Sequence, residues 1–265
     1  MISVTQAQAA SVAGTFDALI CDPPYRDQVH VKATSNGTDG AGVRKRDLGF
    51  GSLNEHTLWS IADLASRTRR WSVVFSDMES GHIWRAVMPG EYIRSVPWAR
   101  WSQPQLSGDR PPSGAELVSV FHPPGAKRWS GPGSLTHFDS KSLRGEDKFS
   151  CEKPLDIMLS LVSWFSDEGE HVVDPTCGSG TTGLACRILR RNCTLADIDG
   201  EAIRRAHEKI HAPISPRDEE RCLRWLTYQY AWLGSYTPTT KAGKARYARA
   251  LRDTELVYEA IDSMC

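Results

Sequence analysis

The chain has 265 residues, in which 32 Lys and Arg balance 32 Asp and Glu, with 40% hydrophobic and 24% charged residues. That composition belongs to a folded globular chain and excludes a disordered tail protein; with no run of about 18 apolar residues it also excludes a membrane span. A net charge of zero argues, at first sight, against nucleic acid as a partner, because phosphate binding draws on Lys and Arg. The seven cysteines (Cys21, Cys151, Cys177, Cys186, Cys193, Cys222 and Cys265) form no CxxC or Cys/His cluster at zinc spacing, so reduced thiols and no metal site are expected. The opening MISVTQAQAASVAG has neither a basic region nor a long apolar core, so no signal peptide is read there and a cytoplasmic location is expected.

In chain order, FDALIC (16–21) is a short apolar run ending abruptly at Asp22-Pro23-Pro24, which predicts a buried strand entering a rigid loop. Residues 33–51 are rich in Gly, Ser, Thr, Asn and charge and predict a mobile loop. From Asn54 to Arg70 the apolar residues Leu58, Ile61, Ala62 and Ala65 share one helical face, with Arg67, Arg69 and Arg70 at the C-terminal end. WSVVFS (71–76) predicts a second buried strand. The middle, 94–150, is proline-rich and poor in helical periodicity, and predicts an irregular inserted region with short strands such as ELVSVF (116–121). Order returns with PLDIMLSLVSWF as a helix carrying Pro in its first turn, HVV as a strand, a Gly-rich turn at 174–182, helix 181–191, strand 193–198 and helix 200–210. Strands alternating with helices imply an α/β fold with a parallel sheet. Beyond Pro216 two further helices, 217–233 and 240–259, form a helical C-terminal tail.

Two segments carry chemistry. Asp174-Pro175-Thr176-Cys177-Gly178-Ser179-Gly180-Thr181-Thr182 follows a strand and opens a helix, a geometry that lets backbone approach a ligand and aims a helix N-terminus at a polar or anionic group. It lacks the GxxxxGK[ST] of a nucleoside triphosphate loop. The next strand runs to Asp197, and a carboxylate ending the second strand of a βαβ unit can accept hydrogen bonds from both hydroxyls of a ribose. The bland alternative is a tight turn and a helix-capping Asp. The second segment is Asp22-Pro23-Pro24-Tyr25. Its prolines fix the backbone and present carbonyls without competing N–H groups, the carboxylate can accept from an exocyclic amino group, and the aromatic ring can stack on a base.

Asp22-Pro23-Pro24-Tyr25 resembles the catalytic motif of the amino-directed nucleic-acid methyltransferases. Asp174 to Thr182 resembles their S-adenosylmethionine loop, and Glu152-Lys153-Pro154 resembles the Lys-Pro that opens their cofactor-flanking helix. The catalytic motif comes first, then the irregular region, then Lys-Pro, then the cofactor loop, which is the order of the permuted β group of DNA amino-methyltransferases. The resemblance covers roughly 16–76 and 150–210. It implies a circularly permuted, Rossmann-like methyltransferase fold: a catalytic-motif half (1–93), a target-recognition region (94–150), a cofactor-binding half (151–212) and a helical extension (213–265). It implies double-stranded DNA as partner, without metal, and S-adenosylmethionine as cofactor, held by Lys153, Pro154, Asp174, Thr176, Cys177, Gly178, Gly180, Thr181, Thr182 and Asp197. One departure is Thr176, where the family usually has Phe.

The implied reaction is transfer of a methyl group to N6 of an adenine flipped out of the duplex, with Asp22, Pro23, Pro24 and Tyr25 as the catalytic set. Cytosine N4 is the sibling alternative, in which Ser often replaces the Asp; a non-catalytic cofactor-binding DNA-recognition protein is the other, against which intact Asp22 and Tyr25 count. From 94 to 148 eight positive residues face five acids, and Trp98, Trp101 and Trp129 are interleaved with them. Arg94, Arg100, Trp101, Arg110, Lys127 and Arg128 are therefore the candidate nucleic-acid contacts, against the bland reading of a core with a solvated basic rim. KAGKARYARALR (241–252) carries five positive charges and no acid, and reads either as a phosphate-tracking helix or as a solvated face. The modest recognition region fits a short site or help from a second protomer in a homodimer.

Overall fold

The computed structural model describes residues 1–25, 51–99, 114–132 and 152–263, together with the backbone of 34–36, 43–45, 105–107, 110–113 and 138–139. Its strands are β1 (Ile2–Gln6), β2 (Phe16–Cys21), β3 (Thr34–Asn36), β4 (Val43–Lys45), β5 (Thr68–Ser76), β6 (Glu91–Ala99), β7 (Gln105–Ser107), β8 (Arg110–Ser113), β9 (Ala115–His122), β10 (Phe138–Asp139), β11 (His171–Asp174) and β12 (Asn192–Asp197). Its helices are α1 (Glu55–Ser66), α2 (Gly81–Val87), α3 (Leu155–Phe165), α4 (Thr181–Ile188), α5 (Gly200–His211), α6 (Pro216–Ser235) and α7 (Lys241–Asp262).

Eight strands form one sheet in the order β1-β12-β11-β2-β5-β9-β6-β10. The first five are parallel, and β9 runs antiparallel to both neighbours, β5 and β6. The central strands β2 and β11 are apolar on both faces, as a sheet covered on both sides requires: Ala18, Leu19, Ile20, Val172 and Val173 are fully buried. On one face Leu19, Cys21, Val74 and Val173 pack against Ile61, Leu64 and Ala65 of α1 and Trp84 of α2. On the other, Ala18, Ile20, Val73 and Val172 meet α3, α4 and α5, and the tail adds Cys222, Trp225 and Leu226 of α6 and Val257 of α7. The result is a three-layer α/β fold.

Local signals explain where the helices begin. Asn54 caps α1 by accepting from Thr57 N at 2.9 Å, Asp199 caps α5, Ser215 caps α6 ahead of Pro216, and Thr240 caps α7. Arg67 ends α1, so Arg69 and Arg70 belong to β5 rather than to the helix. The N-terminal ISVTQ, which had no assigned structure, is edge strand β1, paired with β12 from Ile2↔Cys193 to Gln6↔Asp197. The expected loop 33–51 lies outside the described residues except for the β3–β4 hairpin and Gly51. The region 94–150 is not wholly an insertion, because β6 and β9 at its start and centre are integral strands of the sheet. Their antiparallel pairing explains the absence of helical periodicity there.

The tail is anchored by a buried ion pair. Arg191, just before β12, reaches Asp253 of α7 at 2.7 and 3.0 Å and also donates to Ser166 O, while Ser163 donates to Asp253 at 2.7 Å. Both side chains are almost wholly buried, at 1% and 4% exposure. Asp253→Asn is expected to cost about 3–5 kcal/mol, because it leaves a buried guanidinium without its counter-charge. Arg204→Ala, which removes exposed pairs with Glu201 and Glu208, is expected to leave the urea-unfolding midpoint unchanged. Equal midpoints for the two variants would show that the α7 anchor contributes nothing.

Candidate functional site

The sheet reverses its winding between β2 and β11. From β2 the chain crosses through α1 to β5 on one face; from β11 it crosses through α4 to β12 on the other. The two connections part at the carboxyl ends of adjacent strands and leave a crevice there, where open α/β sheets bind ligands. Asp22 follows β2 at this crevice, Asp174 ends β11 and Asp197 ends β12. Because β9 is antiparallel, its first residues, Ala115 and Glu116, arrive at the same end of the sheet. The two segments singled out in the sequence thus meet, although about 150 residues separate them.

The floor of the crevice is a charged cluster. Lys153, buried just before α3, places its ammonium on Asp22 Oδ2 and 3.5 Å from Glu116 Oε2. The Tyr25 hydroxyl donates to that same Glu116 oxygen at 2.6 Å. Three rings surround the ammonium, Phe75 at 5.1 Å, Tyr25 at 5.6 Å and Trp98 at 5.9 Å from their centroids, which favours the cation. Asp22 Oδ1 is buried without a hydrogen-bond partner. Burial pushes the Asp22 carboxyl up from its ordinary value, and the Glu116 charge adds to this; the Lys153 ammonium opposes both. Glu116 was missed in the sequence, where it counts only as one acid among five in the middle region. The available signal was an acid opening the otherwise apolar strand ELVSVF.

The Gly-rich loop is held by its own carboxylates. Asp174 accepts from Thr182 Oγ1 at 2.5 Å and from Thr176 N at 3.1 Å. Asp197 accepts from Gly178 N at 2.9 Å with one oxygen and from Asp199 N at 3.0 Å with the other. A carboxylate has about four acceptor sites, so Asp197, only partly buried, keeps capacity for further donors. Gly178 (φ 49°) and Gly180 (φ 82°) are left-handed. At Gly180 a Cβ would lie 2.7 Å from the Cα and Cβ of Ala206 on α5, so this glycine serves close loop–helix packing. Cys177 is buried with its thiol pushed up by burial, which removes it as a nucleophile. Thr181 Oγ1 reaches Glu152 Oε1 at 3.4 Å, and the same carboxylate takes Lys209. Pro154 is the N-cap of α3, one residue earlier than expected for a first-turn proline. Thr176 Oγ1 is buried and lacks a hydrogen-bond partner.

The nucleic-acid candidates whose side chains are described, Arg94, Lys127 and Arg128, do not line the crevice. Lys127 and Arg128 follow β9 at the amino end of the parallel strands, opposite the crevice, where Lys127 pairs with Glu91 and Arg128 with Asp167 and Glu170. Arg94 is exposed within β6. Arg100 and Trp101 lie outside the described residues, and Arg110 is described only as backbone of β8. Trp84 and Trp98 are core residues, and Trp129 packs against Trp71, Trp164 and Phe165. In the basic run of α7, Arg246 meets the Tyr236 hydroxyl, Arg249 meets Asp167, and Arg252 meets Glu168. These side chains dock the tail. Among the described residues no cluster of His, Cys, Asp and Glu could hold a metal ion, and no helix is long and apolar enough to cross a membrane.

Burial pushes the Asp174 carboxyl up to about 7, against the hydrogen bonds from Thr182 and Thr176 that lower it. The folded chain therefore holds this proton more tightly than the unfolded chain does, with a stabilisation complete below about pH 4 and lost as the pH rises through 7. Asp174→Asn, which keeps the neutral form, is expected to gain stability relative to wild type between pH 4 and 7. Urea midpoints measured across that range check it, and parallel curves for the two proteins would contradict the assignment.

The N6/N4 DNA methylase family model matches residues 76–208, half of the chain. No curated protein sequence matches it. Among solved structures, M1.HpyAVI in complex with SAM aligns with a TM-score of 0.60 at 21% identity, over 80% of this chain and 100% of that one. PvuII DNA methyltransferase, which is cytosine-N4-specific, aligns at 0.58 and 12% identity, over 84% and 91%. A Thermus thermophilus protein complexed with S-adenosyl-L-methionine aligns at 0.51 and 16%, over 79% and 93%. These identities establish a shared fold, the Rossmann-like α/β fold of methyltransferases. With the family model spanning both the end of β5 and the Gly-rich loop, the chain belongs to the N6/N4 DNA methylase family.

Proposed function

We propose that this DNA methylase transfers a methyl group from S-adenosylmethionine to N6 of adenine at a specific site in double-stranded DNA, and that it is of the permuted β group. The observation that carries the reading is the Asp22 carboxylate: one oxygen is held by Lys153, while the other, Oδ1, is buried and without a partner at the carboxyl ends of the strands. A buried acceptor that lacks a donor is costly, and an exocyclic amino group supplies the donor it lacks. The chain order, with Asp22-Pro23-Pro24-Tyr25 preceding the Gly-rich loop, supports the permuted assignment.

The residues of the crevice fit the cofactor. The left-handed Gly178 and Gly180 bare the loop backbone, Asp197 retains acceptor sites for ribose hydroxyls, and the orphaned Thr176 hydroxyl offers a further polar contact. Cys177, Thr181, Thr182 and Asp174 shape this loop, and Pro154 sets the start of the helix beside it. When bound, S-adenosylmethionine supplies an electrophilic methyl group on a sulfonium for direct displacement by the amino nitrogen. That nitrogen is a poor nucleophile because its lone pair is conjugated into the ring. Asp22 and the Pro23 carbonyl accept its hydrogens and favour the tetrahedral geometry in which the lone pair is free. Pro24 fixes the turn, and the Tyr25 ring, held through its hydroxyl by Glu116, stacks on the flipped base. Much of the acceleration then comes from positioning. Asp at position 22, where cytosine enzymes often carry Ser, favours adenine over cytosine N4.

Nucleoside mass spectrometry of DNA from a host expressing the chain is expected to show N6-methyladenine. Asp22→Ala is expected to lower methylation by roughly three orders of magnitude while leaving cofactor affinity, read by calorimetry, nearly unchanged. N4-methylcytosine in place of N6-methyladenine would overturn the choice of base, and activity surviving in Asp22→Ala would overturn the catalytic assignment.

A further inference from the structure

We propose that Glu152 is a positioning residue for the cofactor loop, through which Lys209 of α5 and Arg217 of the C-terminal extension hold the first residue of α4 and so set the affinity for S-adenosylmethionine. The inference rests on the Gly-rich loop as the cofactor site. Glu152 stands directly before Lys153 and Pro154, and its side chain is only 4% exposed although it carries a charge. A carboxylate buried this deeply is tolerated where cations meet it. Two do: the Lys209 ammonium sits on Oε1, and Arg217 Nη2 lies 3.8 Å from Oε2. The same Oε1 accepts from the Thr181 hydroxyl at 3.4 Å.

The loop passes into α4 at this contact. Its other ties, from Thr176 N and Thr182 Oγ1 to Asp174 and from Gly178 N to Asp197, stay within the two strands and one helix that flank it. Thr181 reaches further. It opens α4 immediately after the left-handed Gly180, and through Glu152 it is joined to the start of α3, to α5 and to α6 at once. Glu152 is thereby held at both oxygens, Oε1 from α4 and α5, Oε2 from α6. Its negative charge at the N-terminus of α4 is also favoured by the helix dipole. Arg217 Nη2 is buried and lacks a hydrogen-bond partner, so across 3.8 Å it acts on Glu152 as a charge and not as a donor. Removing that charge lets the carboxylate turn about its contact with Lys209, away from Thr181, and loosens the exit of the loop. Lys209 and Arg217 both lie beyond residue 208, where the match to the family model ends. The helical extension thus becomes part of the cofactor site.

The full chain is compared as wild type, Arg217→Ala, Arg217→Lys, Glu152→Gln and the double variant Glu152→Gln/Arg217→Ala. Binding of S-adenosylmethionine without DNA is read by calorimetry, folding by thermal melting without cofactor, and kcat and the cofactor KM by methyl transfer to unmethylated genomic DNA. Arg217→Ala, at a side chain 33% exposed, is expected to keep the melting temperature nearly unchanged. It is expected to weaken S-adenosylmethionine binding and raise its KM roughly fivefold to tenfold, with kcat at saturating cofactor nearly unchanged. Arg217→Lys keeps the charge and should bind nearly as wild type does. Glu152→Gln should weaken binding at least as much as Arg217→Ala, and the double variant no more than Glu152→Gln alone, because Arg217 acts through Glu152. If Glu152→Gln does not fold, the two Arg217 variants decide the matter. Wild-type affinity in Arg217→Ala, whatever its melting temperature, or losses that multiply in the double variant, would overturn the positioning role and leave the loop as the cofactor site. A folded wild-type chain that does not bind S-adenosylmethionine would overturn the loop assignment and the positioning role with it.

Discussion

Burying an ammonium between two carboxylates is unfavourable unless the charges keep partners, and Lys153 meets both Asp22 and Glu116. The three come from the start of α3, the end of β2 and the start of β9. None is near another in the chain; Lys153 and Asp22 are 131 residues apart. Their meeting requires β2 and β5 to be parallel, β9 to be antiparallel beside them, and α3 to cross the sheet so that its leading turn reaches the carboxyl ends. A change in any of these would break contacts within the cluster. The cluster thus ties the register of the sheet to the geometry of the crevice, and α3 lies almost wholly buried behind it.

The amino end of the sheet is organised by the same rule. Asp167 and Glu170 gather Arg70 and Arg128, Asp167 also takes Arg249, and Glu168 takes Arg252. The buried Arg191–Asp253 pair adds the anchor of α7 to these contacts. Here the acids are met by arginines within the fold, although Asp167 Oδ1, 3.4 Å from Arg249 Nε, lacks a hydrogen-bond partner as Asp22 Oδ1 does at the carboxyl end. The ion pairs at this end of the sheet secure the tail.

Signals that act over short distances were the ones legible in the sequence. The run FDALIC, the helix beginning at Asn54, and the strand–turn–helix that starts at His171 each depend on neighbours within a few residues, and each begins in the fold close to where it was read. Strands β6 and β9 were harder to place, because their partners are one another and β5, and alternation alone does not say which sheet a strand joins. The site divides in the same way. Asp22, Tyr25 and the Gly-rich loop stand in compact motifs, while Glu116 acquires its meaning only from the antiparallel return of β9 to the crevice. Lys127, Arg128, Arg249 and Arg252 looked available because their acidic partners are distant in sequence; folding commits them to ion pairs. The tryptophans near the middle region were ambiguous for a related reason, since Trp84 and Trp98 fill the core from strand and helix positions that composition cannot distinguish from a surface wedge.

The zero net charge of the chain says little about its partner, because many of its cations are paired within the fold. Arg204 and Arg205 meet Glu201, Arg221 and Arg224 meet Asp156, Lys209 and Arg217 meet Glu152, and Arg190 meets Glu259, in addition to the clusters at the amino end. Such contacts offset much of the cationic charge locally, so the sum over the chain does not tell which cations remain to face a partner. DNA affinity responds to a different quantity, the number of phosphates contacted and the counterions they release, which depends on the cations facing the duplex and not on their sum over the molecule. An enzyme that must release its product is served by few such contacts, because binding through a uniformly basic surface, strong at low salt and blind to sequence, would hold unmodified and modified DNA alike.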